Sequence, residues 1–329
     1  MFDFSRRGVL GLGLATATAA AAAPRRRLAA KRAVIVSTWD FGAAANDAGF
    51  ARLKAGGSLL DAVETGARVP EADPSNHSVG YGGYPDRDGH VTCDAIIMDD
   101  AGGVGAVAAL EDIVHAVSVA RAVMEKTPHT MIVGQGARQF AVDQGFPIVN
   151  LLTPEAEAAW RDWLKTANYR PVINIENQRG TKYNHDTIGI LACNAEGRLA
   201  GACTTSGMAF KMHGRVGDSP QAGCGLFVER GVGAATSSGV GEEVIRTAGT
   251  ARVVASMRAG MSPMAACKEA VTHIANLRGN AVKGEQVAYL ALSPDGAVGA
   301  FALQPGFTYA VTDSAGRTDV RPSGSLFKS

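Results

Sequence analysis

None of the five cysteines, at positions 93, 193, 203, 224 and 267, stands in a CxxC pair or a Cys/His cluster. That removes the zinc-ribbon and dithiol redox readings. Their odd number also forbids complete pairing within one chain, so they read as small buried hydrophobes. No glycine run forms GxGxxG after a strand or GxxxxGK[ST], which sets aside a dinucleotide fold and a P-loop. The formal charge is only +1, and no basic–aromatic stripe appears, so nothing calls for nucleic acid. The 40 glycines follow no collagen-like or linker-like repeat. Beyond the N-terminal segment no stretch resembles a membrane span.

What is present begins with an export signal. Ser5-Arg6-Arg7 precedes an uncharged run, residues 8–23, rich in Ala, Leu and Gly and ending in small residues before Pro24. This is the layout of a twin-arginine signal, cut between residues 19 and 23. The run is just under spanning length. A periplasmic or secreted location follows, with folding before export. About 300 residues remain, enough for one large core or two domains, and the 46% apolar content is that of a globular chain.

Residues 32–38 read as a short buried strand. Ser58 and Asp61 form a capping box before an apolar helical face. Residues 91–98 read as strand, and 104–124 as a mostly apolar helix. Further helices are expected over 134–140 and 154–166, the latter with proline in its first turn. From 167 to 186 the pattern fails in a long polar loop, of the kind that is often functional. Strands then take over: 188–193 and 199–204 flank Asn194-Ala195-Glu196-Gly197, and the same shape returns at 287–292 and 297–303. Shorter strand-like pieces fall at 225–228 and 233–236. Helices are expected from about 242 to 257 and, opened by Ser262-Pro263, to 277. Helices thus dominate the first half and hairpins open the second, which suggests antiparallel sheets covered by helices.

The junction Asn184-His185-Asp186-Thr187-Ile188-Gly189 carries the most chemistry. It admits an ordinary reading, a loop ending where a strand begins. It also admits a sharper one. A threonine hydroxyl within a chain is a poor nucleophile without a base. If the Asp186–Thr187 bond were broken, Thr187 would gain an α-amine with a pKa of about 7.7, neutral in useful fraction near pH 7. One residue would then supply nucleophile and base, with a rigid hairpin behind it. Arg215 and Asp218, three apart, could grip a zwitterion: guanidinium to carboxylate, carboxylate to ammonium. The alternative for them is a surface ion pair.

Several segments resemble the glycosylasparaginases, a family of N-terminal nucleophile hydrolases. They are residues 185–189, Thr204-Thr205-Ser206-Gly207, the KMHGRVGDSP run at 211–220, Ser37-Thr38-Trp39, Gly82-Gly83-Tyr84-Pro85, and residues 94–99, 119–129 and 239–246. The likeness spans nearly all of the chain after the signal. It implies an α+β fold, a four-layer αββα sandwich, and self-cleavage before Thr187. The pieces 24–186 and 187–329 would stay together as α and β subunits of one catalytic domain, and two such heterodimers would pair.

By the same resemblance Thr187 attacks the side-chain amide of a glycoasparagine, releasing aspartate. Arg215 and Asp218 hold the substrate α-carboxylate and α-amine, and Thr205 supports the nucleophile. Ser238 and Gly239 form the oxyanion hole, Trp39 shapes the cleft, and Asp186 with His185 serves self-cleavage. His213 would support the loop carrying Arg215. No cofactor or metal is called for. Three positions depart from the family: Ser238 stands where threonine is usual, Asp40 where asparagine is frequent, and Val240 where a more polar residue is. Asp40 keeps isoaspartyl peptides and free asparagine open as substrates. A non-catalytic periplasmic amino-acid-binding protein on the same scaffold is the reading from another class, opposed by the intact Thr187, Thr205, Arg215 and Asp218.

Overall fold

The computed structural model describes residues 33–166 and 187–328. The segment expected to be an export signal and residues 167–186, including His185 and Asp186, lie outside them. Among the described residues no helix is long and apolar enough to cross a membrane.

Two mixed sheets face each other. The first holds β1 (Val34–Thr38), β2 (Thr92–Asp99), β3 (Val104–Glu111), β4 (Met131–Val133), β5 (Ile188–Cys193), β6 (Leu199–Thr205), β11 (Thr308–Thr312) and β12 (Thr318–Pro322), in the order β12-β11-β1-β5-β6-β2-β3-β4. The second holds β7 (Leu226–Glu229), β8 (Gly233–Gly239), β9 (Val287–Leu292), β10 (Val298–Ala302) and β13 (Gly324–Ser325), in the order β13-β10-β9-β8-β7. Neighbouring strands run antiparallel except β3/β4 and β10/β13.

Helices α1 (Gly42–Lys54), α2 (Leu59–Glu71), α3 (Ala116–Lys126) and α4 (Gly134–Asp143) cover the outer face of the first sheet. Helix α5 (Pro154–Thr166) follows them in sequence. Helices α6 (Gly241–Thr247), α7 (Gly249–Arg258) and α8 (Pro263–Arg278) cover the second. The result is the αββα sandwich.

Strand alternation explains how one chain feeds three cores. On β5, Ile188, Ile190 and Ala192 pack outward against helices, while Leu191 and Cys193 join the core between the sheets. On β9, Val287, Tyr289 and Ala291 face the other helical layer, and Ala288, Leu290 and Leu292 face the first sheet. A one-residue slip would exchange these sets. The sheets can meet closely because β5 carries Gly189: a Cβ there would lie 2.1 Å from Thr236 Oγ1 on β8.

The local signals hold where they are chemical. Ser58 Oγ accepts from the Asp61 amide at 3.1 Å and Asp61 Oδ2 from the Ser58 amide at 3.0 Å. Ser262 Oγ accepts from the Ala265 amide, with Pro263 opening α8. The expected hairpin over 188–204 forms, with Ile188 opposite Thr204 and Cys193 opposite Leu199. All five cysteines are buried and free, and burial pushes the Cys93 and Cys203 thiols up to about 12.

Two expectations fail. Residues 104–124 are not one helix: 104–111 form β3, and the helix starts only at Ala116. A strand covered on both faces is apolar throughout and loses the alternation that marks strands. The helix expected over 242–257 breaks at Ala248, whose φ of 47° is left-handed. The break brings Gly249 against Tyr289, where a Cβ would lie 1.9 Å from the phenol oxygen. Helices do dominate the first half, with β1 to β4 set among them, and β11 to β13 were not foreseen.

Candidate active site

Thr187 immediately precedes β5 and is 4% exposed. Alternation puts it on the inner face with Gly189 and Leu191. The pairing of Ile188 with Thr204 sets Thr187 beside Thr205, the last residue of β6, and Thr205 lies directly opposite Asp94 on β2. Three neighbouring strands thus present Thr187, Thr205 and Asp94 in one inner row.

The backbone of Thr187 is held from β1. Thr38 Oγ1 donates to the Thr187 carbonyl at 2.7 Å and accepts from the Gly189 amide at 2.9 Å. Thr205 Oγ1 accepts from the Gly207 amide at 2.9 Å and donates to the Ser78 carbonyl at 3.1 Å. Ser78 is itself buried, with an Oγ that has no hydrogen-bond partner among the described residues. Lys211, fully buried, donates to the Ser206 carbonyl at 2.9 Å and ties down the turn after Thr205. Burial pushes its ammonium below the usual lysine range, against the pull of Asp94.

Trp39 follows β1 with φ of 64°, which turns its indole toward the second sheet. Its Nε1 donates to Ser238 Oγ at 2.9 Å, and its ring meets Phe307 edge-on with centroids 4.9 Å apart. Gly239, at φ 109°, ends β8; a Cβ there would lie 2.2 Å from the Gln286 carbonyl. No other residue type fits both the torsion and the space.

Asp218 is 4% exposed and accepts from Ser237 Oγ at 2.6 Å. Burial pushes its carboxyl above the usual range, with the Ser237 bond and the Arg215 charge opposing. Gly241 makes room for it, since a Cβ there would come within 2.6 Å of Asp218 Oδ1. Arg215 does not pair with Asp218 as a surface ion pair. It is held by Glu242, with Nε at 2.9 Å and Nη2 at 2.8 Å from the two carboxylate oxygens. Burial works against the Glu242 carboxylate, but the Arg215 bonds and charge outweigh it and hold Glu242 below the usual range.

Among the described residues, the expected ones are linked through neighbouring contacts. Thr187 is anchored to Thr38 and flanked by Thr205; Trp39, next to Thr38, touches Ser238; Ser237 touches Asp218; and Arg215 lies three residues before it. His213 Nδ1 is 2.7 Å from Asp86 Oδ2, a contact that raises its pKa and braces the loop ahead of Arg215. Asp40 is exposed and accepts from the Phe41 amide. Val240 is buried in the helical core beside β9. Sequence reading passed over Thr38, Ser78, Asp94, Lys211 and Glu242 as individual residues, although four of them fall inside segments it had singled out. Only Ser78 lies outside, just before the Gly80–Gly83 turn. Among the described residues no three His, Cys, Asp or Glu side chains are grouped to hold a metal ion.

Two facing sheets between helical layers, with a buried threonine opening an inner strand, define an N-terminal nucleophile hydrolase of the amidohydrolase kind. Comparison with known proteins agrees. The asparaginase family matches residues 15–320. An N(4)-(beta-N-acetylglucosaminyl)-L-asparaginase of Elizabethkingia miricola is 54% identical over 296 residues, covering 89% of this chain and 85% of the relative. Those of Rattus norvegicus and Mus musculus are 38% and 36% identical, each over 73% of this chain. The chain belongs to the asparaginase family.

Proposed function

We propose that this chain hydrolyses the side-chain amide of N4-(β-N-acetylglucosaminyl)-L-asparagine after cutting itself between Asp186 and Thr187. The observation that carries the reading is the placement of Thr187: buried at a strand tip, its carbonyl fixed by Thr38, with Thr205 alongside. Cleavage frees an α-amine that takes the hydroxyl proton. The Thr187 oxygen attacks the side-chain carbonyl carbon, the C–N bond breaks, and the proton leaves with the sugar amine. Water then cleaves the β-aspartyl ester, releasing aspartate and restoring the hydroxyl.

Ser238 Oγ and the Gly239 amide serve the oxyanion. An indole can only donate, so the Ser238 proton is not spent on Trp39 and is available to the developing charge. Arg215 takes the substrate α-carboxylate, Asp218 its ammonium, and Trp39 walls the cleft. Asp186 and His185 act in self-cleavage. The pieces 24–186 and 187–329 remain associated, pair as a dimer of heterodimers, and work in the periplasm or outside the cell.

Intact-mass measurement of the purified protein under denaturing conditions is the test. Two fragments, the second beginning at Thr187, with Thr187→Ala remaining one chain, support the reading; an uncut but folded wild-type chain sinks it. Side-by-side rates on the glycoasparagine, asparagine and β-aspartyl dipeptides then rank the leaving groups.

A further inference from the structure

We infer that Glu242 is the positioning residue that presents Arg215 to the substrate α-carboxylate, and so sets the requirement for that carboxylate; this rests on the reading of Arg215 given above. A guanidinium has five N–H donors arranged as two forks, a side-on fork of Nε and Nη2 and an end-on fork of Nη1 and Nη2. Both Glu242 oxygens occupy the side-on fork, at 2.9 and 2.8 Å. Both Nη1 protons and one Nη2 proton are left, which is the fork a second carboxylate needs.

The surroundings make the arrangement directional. The Arg215 side chain is only 17% exposed, whereas Glu242 is 40% exposed. The Nη1 end lies against Gly217, where a Cβ would come within 2.9 Å of it. Arginine is long and rotamer-rich, and a carboxylate chelating one edge removes that freedom before substrate arrives. Glu242 is also placed by the site itself. Ser237 holds Asp218, Ser238 and Gly239 follow, and Glu242 lies in the first turn of α6. One six-residue segment therefore sets both charged grips and the oxyanion donors relative to one another.

Glu242 makes no claim on the reacting carbon, so its loss should appear in substrate binding and not in chemistry. The test compares N4-(β-N-acetylglucosaminyl)-L-asparagine with its α-carboxamide, which differs by one charge at the atom group Arg215 would grip. Wild type is expected to favour the acid strongly. Glu242→Gln is expected to raise KM for the acid by about tenfold, leave kcat within about threefold, and leave the amide's constants nearly unchanged. Glu242→Asp keeps the charge but falls one methylene short of the fork. It is expected to lower the acid-to-amide preference too, and carries the comparison if the Gln variant does not accumulate. Equal losses on both substrates would make Glu242 a general structural residue and overturn the inference. An unchanged preference in both variants overturns it as well. A wild type indifferent to the carboxylate sinks the Arg215 reading itself, whatever the variants do.

Discussion

Replacing Ser238 with alanine separates the two jobs its hydroxyl performs. The oxygen accepts the Trp39 indole N–H at 2.9 Å, and its own proton remains for the oxyanion. Losing an oxyanion donor lowers kcat by about 100- to 1000-fold in other hydrolases. The same change removes the hydroxyl that accepts from the indole of Trp39, itself only 8% exposed. Losing one buried hydrogen bond costs about 1 kcal/mol, which is a loss of a few degrees in Tm for a chain of this size. Ser238→Ala should therefore show both a large fall in kcat on the glycoasparagine and a modest fall in Tm. Trp39→Phe keeps the ring against Phe307 but removes the donor. It should free the Ser238 rotor and cost less in kcat than Ser238→Ala. Ser238→Thr restores both bonds and adds a methyl that restricts the rotor, so it should be at least as active as wild type. If Ser238→Ala stays within a factor of about five of wild type in kcat, the hydroxyl is not an oxyanion donor and the assignment is refuted.

Gly189→Ala would drive a Cβ to 2.1 Å from Thr236 Oγ1 between the sheets; overpacking of this kind costs about 1–3 kcal/mol, read as a drop in the denaturant midpoint. Ser237→Ala removes a hydrogen bond to the charged form of Asp218, whose pKa burial already raises. The pKa must climb further, so the acid limb of the kcat/KM profile should move to higher pH; no movement, or movement the other way, would mean that Asp218 does not set that limb. Glu71 accepts from the Val117 amide and from Thr204 Oγ1 while fully buried. Glu71→Ala orphans both and should destabilise the fold by about 3 kcal/mol or more in equilibrium unfolding.

The parts of this protein that sequence determined are those governed by short range or by strong chemistry. Ser58 and Asp61 cap α2 because a hydroxyl and a carboxylate three residues apart meet the free amides of a helix start wherever the helix lies. The hairpin behind Thr187 is likewise legible, because Asn194 and Gly197 suit its turn and the runs on either side fit strands. The pairing of Thr187 with Arg215 and Asp218 could be suspected from the residue types their chemistry needs, and the resemblance of the surrounding segments gave those types their roles.

Tertiary structure decided the rest. β3 was hidden because β2 and β4 flank it and cover layers bury both its faces, so its residues carry no periodicity of their own. The break at Ala248 exists because Gly249 must meet Tyr289, a residue 40 positions away. Arg215 offered two acidic partners, and only the packing of α6 after β8 chose Glu242 over Asp218. Thr38 touches Thr187 across 149 residues of sequence. No local pattern encodes that contact, since it is created when β1 and β5 pair and the distance along the chain becomes the distance across a hydrogen bond.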